Sequence, residues 1–225
     1  MIRLHSIETL GALDGPGIRT VLFTAGCPMR CKYCHNPDTW QGGEMRDERE
    51  LADFCARYKP YYGKTGGVTL SGGEPLLQKE GVVRLLDELR ARGIHTAVDT
   101  GGGIFCPEAL ERADLILLDI KHPDAQKFYE LTGVTQDALR KTLNWLRAHK
   151  KRFWVRHVCV PALTDTEENV LAVKKMAEGA EKIELLAYHT MGIQKWEKLG
   201  LAYPLQGVPP LSNEKLQELN RILER

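Results

Sequence analysis

Six short runs of β-branched and apolar residues, each succeeded by a stretch with helical spacing, restrict this chain to a narrow set of folds. The runs are Ile18 to Ala25, Gly67 to Ser71, His95 to Asp99, Leu115 to Ile120, Phe153 to Val160 and Lys182 to Ala187. Their length and bounding turns predict strands. Between them, Leu51, Phe54, Cys55 and Tyr58 keep the i, i+3, i+4, i+7 spacing of a helix face, and Val82, Val83, Leu86 and Leu89 form another that stops at Gly93. Leu139, Thr142, Leu143 and Leu146 form a further face. Thr164-Asp165-Thr166-Glu167 has capping-box spacing ahead of Val170, Val173 and Met176, and a final helix from Ser212 presents Leu216, Leu219 and Leu223. This alternation predicts an α/β protein with a parallel sheet and helices outside it, either doubly wound or curled into a partial barrel.

The residues at the strand ends choose between the two. In parallel sheets reactive side chains gather at the C-terminal strand ends. Here a cysteine trio comes after the first run, Ser71-Gly72-Gly73-Glu74 after the second, and Asp99-Thr100 after the third; Asp119 and Lys121 end the fourth, Arg156 lies in the fifth, and His189 comes after the sixth. Polar contributions from all six ends converge if the sheet curls around a common centre, so a partial (β/α)6 TIM-like barrel is expected. Over 225 residues there is no internal repeat, low-complexity tract or Pro/Gly/Ser linker, and the chain reads as a single domain spanning 1–225.

Composition works by exclusion. An apolar fraction of 43% with 27% charged residues is ordinary globular usage, which rules out disorder and collagen-like repeats. Lys and Arg number 31 against 30 Asp and Glu, so no basic field exists to attract nucleic acid or anionic lipid. Met1-Ile2-Arg3-Leu4-His5-Ser6 leads into charged and turn-forming residues, and no apolar run approaches the ~18 residues of a membrane span. A cytosolic protein that binds neither nucleic acid nor membrane is expected. Neither a GxGxxG nor a P-loop is present, so no dinucleotide or nucleoside triphosphate is implied.

The cysteines are unevenly placed. Cys55, Cys106 and Cys159 are scattered and read as packing residues, whereas Cys27, Cys31 and Cys34 form a C-x3-C-x2-C array on one short loop. The array alone leaves four readings open. Zinc could be held by the three thiolates with His35 as a fourth ligand. Cys31 to His35 also reads C-x-x-C-H, a haem-attachment pattern, although attachment normally occurs outside the cytosol. A C-x-x-C redox pair would not need Cys27. A cubane iron–sulfur cluster with three protein ligands would leave one iron free to bind a small molecule.

The array resembles the signature of the radical S-adenosylmethionine superfamily, with Tyr33 at its aromatic position. Asp14-Gly15-Pro16-Gly17-Ile18-Arg19, Cys34-His35-Asn36-Pro37-Asp38-Thr39-Trp40 and Ser71-Gly72-Gly73-Glu74-Pro75 narrow the resemblance to glycyl-radical-enzyme activating enzymes. His95 to Thr100, Leu118 to Lys121, Tyr188-His189 and Lys195-Trp196 support it, and the likeness is nearest to the branch that acts on pyruvate formate-lyase. Relatives acting on other partners often carry a ferredoxin-like insertion with further cysteines; here only Cys55 comes between Cys34 and the second run, which implies one [4Fe-4S] cluster.

By this resemblance Cys27, Cys31 and Cys34 ligate the cluster. S-adenosylmethionine is contacted by Tyr33, Asn36, Gly72, Gly73, Glu74, Lys121, Arg156, Val158 and His189. Asp99, Thr100 and Asp119 hold a monovalent cation beside its carboxylate, and Asp14 and His35 meet the partner's glycine loop. A flavodoxin or ferredoxin donor is implied in the same way. Plainer alternatives stand beside these roles: an ordinary turn for Gly72-Gly73 and for Asp14, helix capping for Asn36, and a salt-bridged rim for the charged strand ends. The pattern departs at Gly101, where the family often carries Asn. Activation of a different glycyl radical enzyme, radical chemistry on a small molecule, and a zinc-stabilised interaction module are the competing functions.

Overall fold

A computed structural model describes residues 1–225, with the elements β1 (Ile2–Gly11), β2 (Arg19–Thr24), β3 (Glu44–Arg46), α1 (Glu48–Ala56), α2 (Lys59–Tyr62), β4 (Gly67–Gly72), α3 (Lys79–Ala91), β5 (Thr96–Thr100), α4 (Pro107–Arg112), β6 (Leu115–Asp119), α5 (Ala125–Thr132), α6 (Asp137–Ala148), β7 (Phe153–Cys159), α7 (Glu167–Met176), β8 (Lys182–Ala187), α8 (Ile193–Lys198) and α9 (Asn213–Glu224). All six expected strands form, as β2 and β4 to β8, with ends within a residue of those read from the sequence. They run parallel in the order β2-β4-β5-β6-β7-β8, which is the partial barrel. No helix is long and apolar enough to cross a membrane.

Two further strands are absent from the sequence reading. β1 pairs antiparallel with β2, and three-residue β3 pairs with Ile2, Arg3 and Leu4 of β1. Only Ile2, Leu4 and Gly11 of β1 are buried, so the strand lacks the continuous apolar run that marks the parallel strands.

The barrel's two faces differ in chemistry. Outward residues such as Leu22, Leu70, Val98, Ile116, Leu118 and Val155 share one core with Leu51, Leu86, Leu89, Leu143 and Leu146 of the helices. Each such side chain gains roughly 1.5–3 kcal/mol on burial. The intervening inward positions hold only a small apolar cluster, Ala97, Leu115 and Leu117 against Trp154, below a polar upper layer in which Asp119 lies opposite Arg156 and Arg156 opposite Glu184.

Local chemistry sets the helix ends. Asp47, Asp124, Thr166 and Ser212 each accept a backbone N–H of the first helical turn. The expected capping box is corrected here: Thr166 caps α7, while the Thr164 hydroxyl ties the turn after β7 by accepting from Val160 N–H and donating to the Val158 carbonyl, both at 2.7 Å. Tyr58 lies beyond the end of α1, and α9 buries Leu219 and Ile222 with Leu216 and Leu223 only partly covered.

Candidate active site

The chain from Gly26 to Trp40 crosses the C-terminal end of the barrel and is pinned from several sides. Gly26 N–H donates to Thr39, Glu74 N–H to Gly26, and Arg30 and Lys32 N–H to Thr132 and Leu131 at the end of α5. Trp196 of α8 adds an indole N–H to the Cys34 carbonyl at 2.8 Å. Cys27, Cys31 and Cys34 thereby line one cavity of about 240 Å³, together with Tyr33, Asp99 and Asp119 among others. Gly72, Gly73, Glu74, Lys121, His35 and Asn36 line it too.

No three His, Cys, Asp or Glu side chains are gathered to hold one metal ion. A tetrahedral zinc needs its ligands about 2 Å from a single point. A cubane cluster instead takes each thiolate at a different iron, and the three thiols line one cavity. Burial pushes the Cys27 and Cys31 thiols up to about 12, so any metal centre taken up there would have to displace their protons. Cys55, Cys106 and Cys159 lie away from the cavity and are buried, Cys106 donating its S–H to Glu108.

Gly72 has a φ of 111°, and a Cβ there would collide with the Thr24 backbone nitrogen; at Gly73 it would collide with the Gly26 carbonyl. The close approach that demands glycine is therefore to the chain's own backbone, at the end of β2 for Gly72 and at the head of the cysteine-bearing segment for Gly73. The Glu74 carboxylate is 1% exposed and accepts from the Thr100 hydroxyl at 2.8 Å, Gly101 N–H at 3.1 Å and Leu76 N–H at 3.1 Å. Burial raises it to about 7. Thr100 is thus turned toward Glu74, whereas Asp99 accepts from Ser71 at 2.9 Å and faces Arg156 at 3.5 Å. Asp99 and Asp119 both line the cavity.

Lys121 pairs with Asp119 and sits 5.5 Å from the Tyr33 ring centre. Burial works against its ammonium, yet Asp119 and Tyr33 hold its pKa well above the ordinary value. His189 stacks on His35 with ring centres 3.9 Å apart, and His35 Nε2 donates to the His189 carbonyl. Asn36 makes no side-chain cap; its Oδ1 accepts from Lys195 at 2.8 Å. Val158 lines the cavity, while Arg156 faces Asp14, Asp99 and Glu184 at 3.5–3.8 Å. Three buried polar atoms at this end, Tyr33 Oη, Asp119 Oδ1 and His189 Nδ1, have no hydrogen-bond partner.

Asp14 reaches the cavity from the loop between β1 and β2, and its carboxyl pKa is raised by burial and then by Asp99. Sequence reasoning misses Thr69 and Glu184. Period-two counting could have found both: Thr69 is two residues before Ser71, and Glu184 two before the cavity-lining Leu186. A larger concavity of about 960 Å³ lies outside the barrel among α5, α6 and α7. Its lining mixes Lys127, Arg140, Glu130 and Glu168 and includes no cysteine, so the chemistry belongs to the smaller cavity.

The sequence profile of the Radical SAM superfamily matches residues 21–173. The pyruvate formate-lyase-activating enzyme of Clostridium pasteurianum is 45% identical over 232 residues, covering 100% of this chain and 98% of the relative. The Staphylococcus epidermidis enzyme of the same name is 42% identical, covering 97% and 93%. Among solved structures, Streptococcus suis SuiB bound to precursor peptide SuiA superposes with a TM-score of 0.71 at 16% identity, over 91% of this chain and 44% of that one. That likeness bears on the fold.

Proposed function

The chain belongs to the Radical SAM superfamily and, within it, to the pyruvate formate-lyase-activating enzymes, and from that premise we propose that it installs a glycyl radical on pyruvate formate-lyase. A Radical SAM domain works with S-adenosylmethionine and a [4Fe-4S] cluster, and relatives of this name imply a glycyl radical enzyme as partner. Pyruvate formate-lyase as that partner, and flavodoxin or ferredoxin as electron donor, belong to the proposal. When bound, the cofactors supply reductive cleavage of a carbon–sulfur bond and a 5′-deoxyadenosyl radical able to take the glycine α-hydrogen.

The observation that carries the reading is that Cys27, Cys31 and Cys34 open onto the same cavity as Glu74, Asp99, Asp119 and Lys121. In the proposal the three thiolates hold three irons of the cluster. The carboxylates make the cavity electronegative, which suits a sulfonium with an ammonium group, while Lys121 and His189 offer donors to its carboxylate and polar atoms. Tyr33, Gly72, Gly73, Val158 and Asn36 shape the walls and exclude water, which keeps a radical from side reactions. Asp99 and Asp119 would serve a monovalent cation, whereas the Thr100 hydroxyl already belongs to Glu74. Asp14 and His35 face the partner's glycine loop, and Arg156 aligns Asp14.

The test is anaerobic reconstitution with iron and sulfide, then incubation with S-adenosylmethionine, a reductant and pyruvate formate-lyase. A glycyl doublet in electron paramagnetic resonance with matching 5′-deoxyadenosine is expected. Deoxyadenosine without a doublet points to another substrate, and a zinc-loaded protein with neither product rejects the radical reading.

A further inference from the structure

The loop from Ala12 to Ile18 turns into the barrel at its base, and the hydrogen bonds that hold it form a chain. Arg19 Nε donates to the Thr69 hydroxyl at 2.6 Å, and that hydroxyl donates to the Asp14 carbonyl at 2.6 Å. Arg19 is fully buried, and its remaining strong hydrogen bonds go to neutral acceptors, the Val68 carbonyl at 2.7 Å and the Pro16 carbonyl at 3.1 Å. A buried guanidinium served only by neutral groups is costly, and burial lowers its pKa to about 10. Here its return is the fixed position of the loop backbone. From the opposite wall, Arg156 Nη2 donates to the Leu13 carbonyl at 2.5 Å. Gly17, at a φ of 70°, lies so close to Gly66 that a Cβ would be 2.5 Å from its nitrogen. The loop is clamped from both sides, and the Asp14 carboxylate projects into the cavity.

We infer that Thr69, held by Arg19, is a positioning residue for the protein substrate: the relay fixes the Asp14 backbone so that its carboxylate is in place before the partner's glycine loop arrives. This rests on the activating-enzyme reading above. Thr69 lies one inward position below Ser71 and is not among the cavity-lining residues, so cofactor cleavage does not depend on it.

The experiment uses the reconstituted holoenzyme and pyruvate formate-lyase. Thr69→Val keeps the shape and removes both hydrogen bonds. It should raise KM for pyruvate formate-lyase about tenfold with little change in kcat, while dithionite-driven S-adenosylmethionine cleavage without partner stays near wild type. Thr69→Ser, which keeps the hydroxyl, should restore the KM. An unchanged KM in Thr69→Val, no rescue by serine, or equal loss of partner-free cleavage overturns the relay. If the valine variant does not fold, Thr69→Ala carries the same expectation, and a wild-type KM in folded Thr69→Ala overturns it equally. Absence of any glycyl doublet from the wild-type protein sinks the activating-enzyme reading and the relay with it; a wild-type doublet with an unchanged variant KM sinks the relay alone.

Discussion

At the upper rim of the barrel Tyr33 Oη, Asp119 Oδ1 and His189 Nδ1 are buried without partners, whereas at the base the loop carbonyls of Leu13, Asp14 and Pro16 are all taken up by Arg156, Thr69 and Arg19. Arg156 stands between the two, its Nη2 serving the base while its buried Nε has no hydrogen bond. An unsatisfied buried polar atom costs about 1–3 kcal/mol, and native chains keep few of them. Around the cysteines three such atoms stay open, while at the base the chain itself pairs each of the three loop carbonyls. Substitutions at the rim should therefore disturb cofactor chemistry, and those at the base should disturb only what happens to the protein substrate.

The largest effect tests the rim. Cys31→Ser should lose the iron–sulfur cluster, and both cofactor cleavage and radical formation should fall to background. Cys106→Ser, buried elsewhere, should keep a full cluster. Iron and sulfide analysis decides, and a loaded Cys31→Ser protein would break the division between the two ends.

The next effect is one of pH. Glu74 is raised from its ordinary 4.5 to about 7 by burial, so the folded rim holds a proton that the unfolded chain releases. Stability of the ligand-free protein should fall as pH rises from about 4.5 to about 7, by on the order of 3 kcal/mol, and level off above. Glu74→Gln should flatten that slope, since the amide still accepts from Thr100. Denaturant midpoints at pH 5 and pH 8 measure it; an equal fall in both proteins removes Glu74 as the cause.

β4, β5 and β6 are legible because they are buried on both faces and read as short apolar runs between turns, whereas β8, an edge strand with one buried residue, is legible from its bounding turns and forms with the ends Lys182 and Ala187. β1 and β3 are not, because a ten-residue strand with three buried residues looks like surface chain, and β3, at the sheet edge, exists only through pairing with β1. That Cys27, Cys31 and Cys34 share one loop is legible from spacing, while the resemblance chooses among its four readings. The partner of the Thr100 hydroxyl is not legible: beside Asp99 it reads as part of one charged strand end, and only the fold shows it donating to Glu74. Thr69 stays hidden because a lone threonine in an apolar strand looks like packing; only the fold brings it to Asp14.

Asp14→Ala tests the base more directly than the relay. Cofactor cleavage with dithionite should persist, while radical yield on pyruvate formate-lyase should fall roughly tenfold to a hundredfold, the loss of one charge-assisted hydrogen bond of about 1.5–3 kcal/mol. Folding should not suffer, because the Asp14 and Asp99 carboxylates oppose each other in the native state. The doublet and 5′-deoxyadenosine are read in the same sample. If both fall together, Asp14 belongs to the rim's chemistry and the two ends are not separate.

The smallest effect guards the comparison against a trivial explanation, that base variants fail only because they are less stable. Ser212 caps α9 by accepting Lys215 N–H at 3.1 Å, on a helix packed outside the barrel against α7 and β8. Ser212→Ala should cost about 1 kcal/mol and lower Tm by roughly 2–4 °C, through loss of one helix-end acceptor. Neither end of the barrel is touched, so well below the transition both cofactor cleavage and radical formation should equal wild type. Thr69→Val and Asp14→Ala can then be compared with a variant whose only defect is stability. Were Ser212→Ala also to cleave S-adenosylmethionine normally and fail to form the glycyl radical, uncoupling would reflect general loosening of the fold, and the base would have no positioning role distinct from the rest of the molecule.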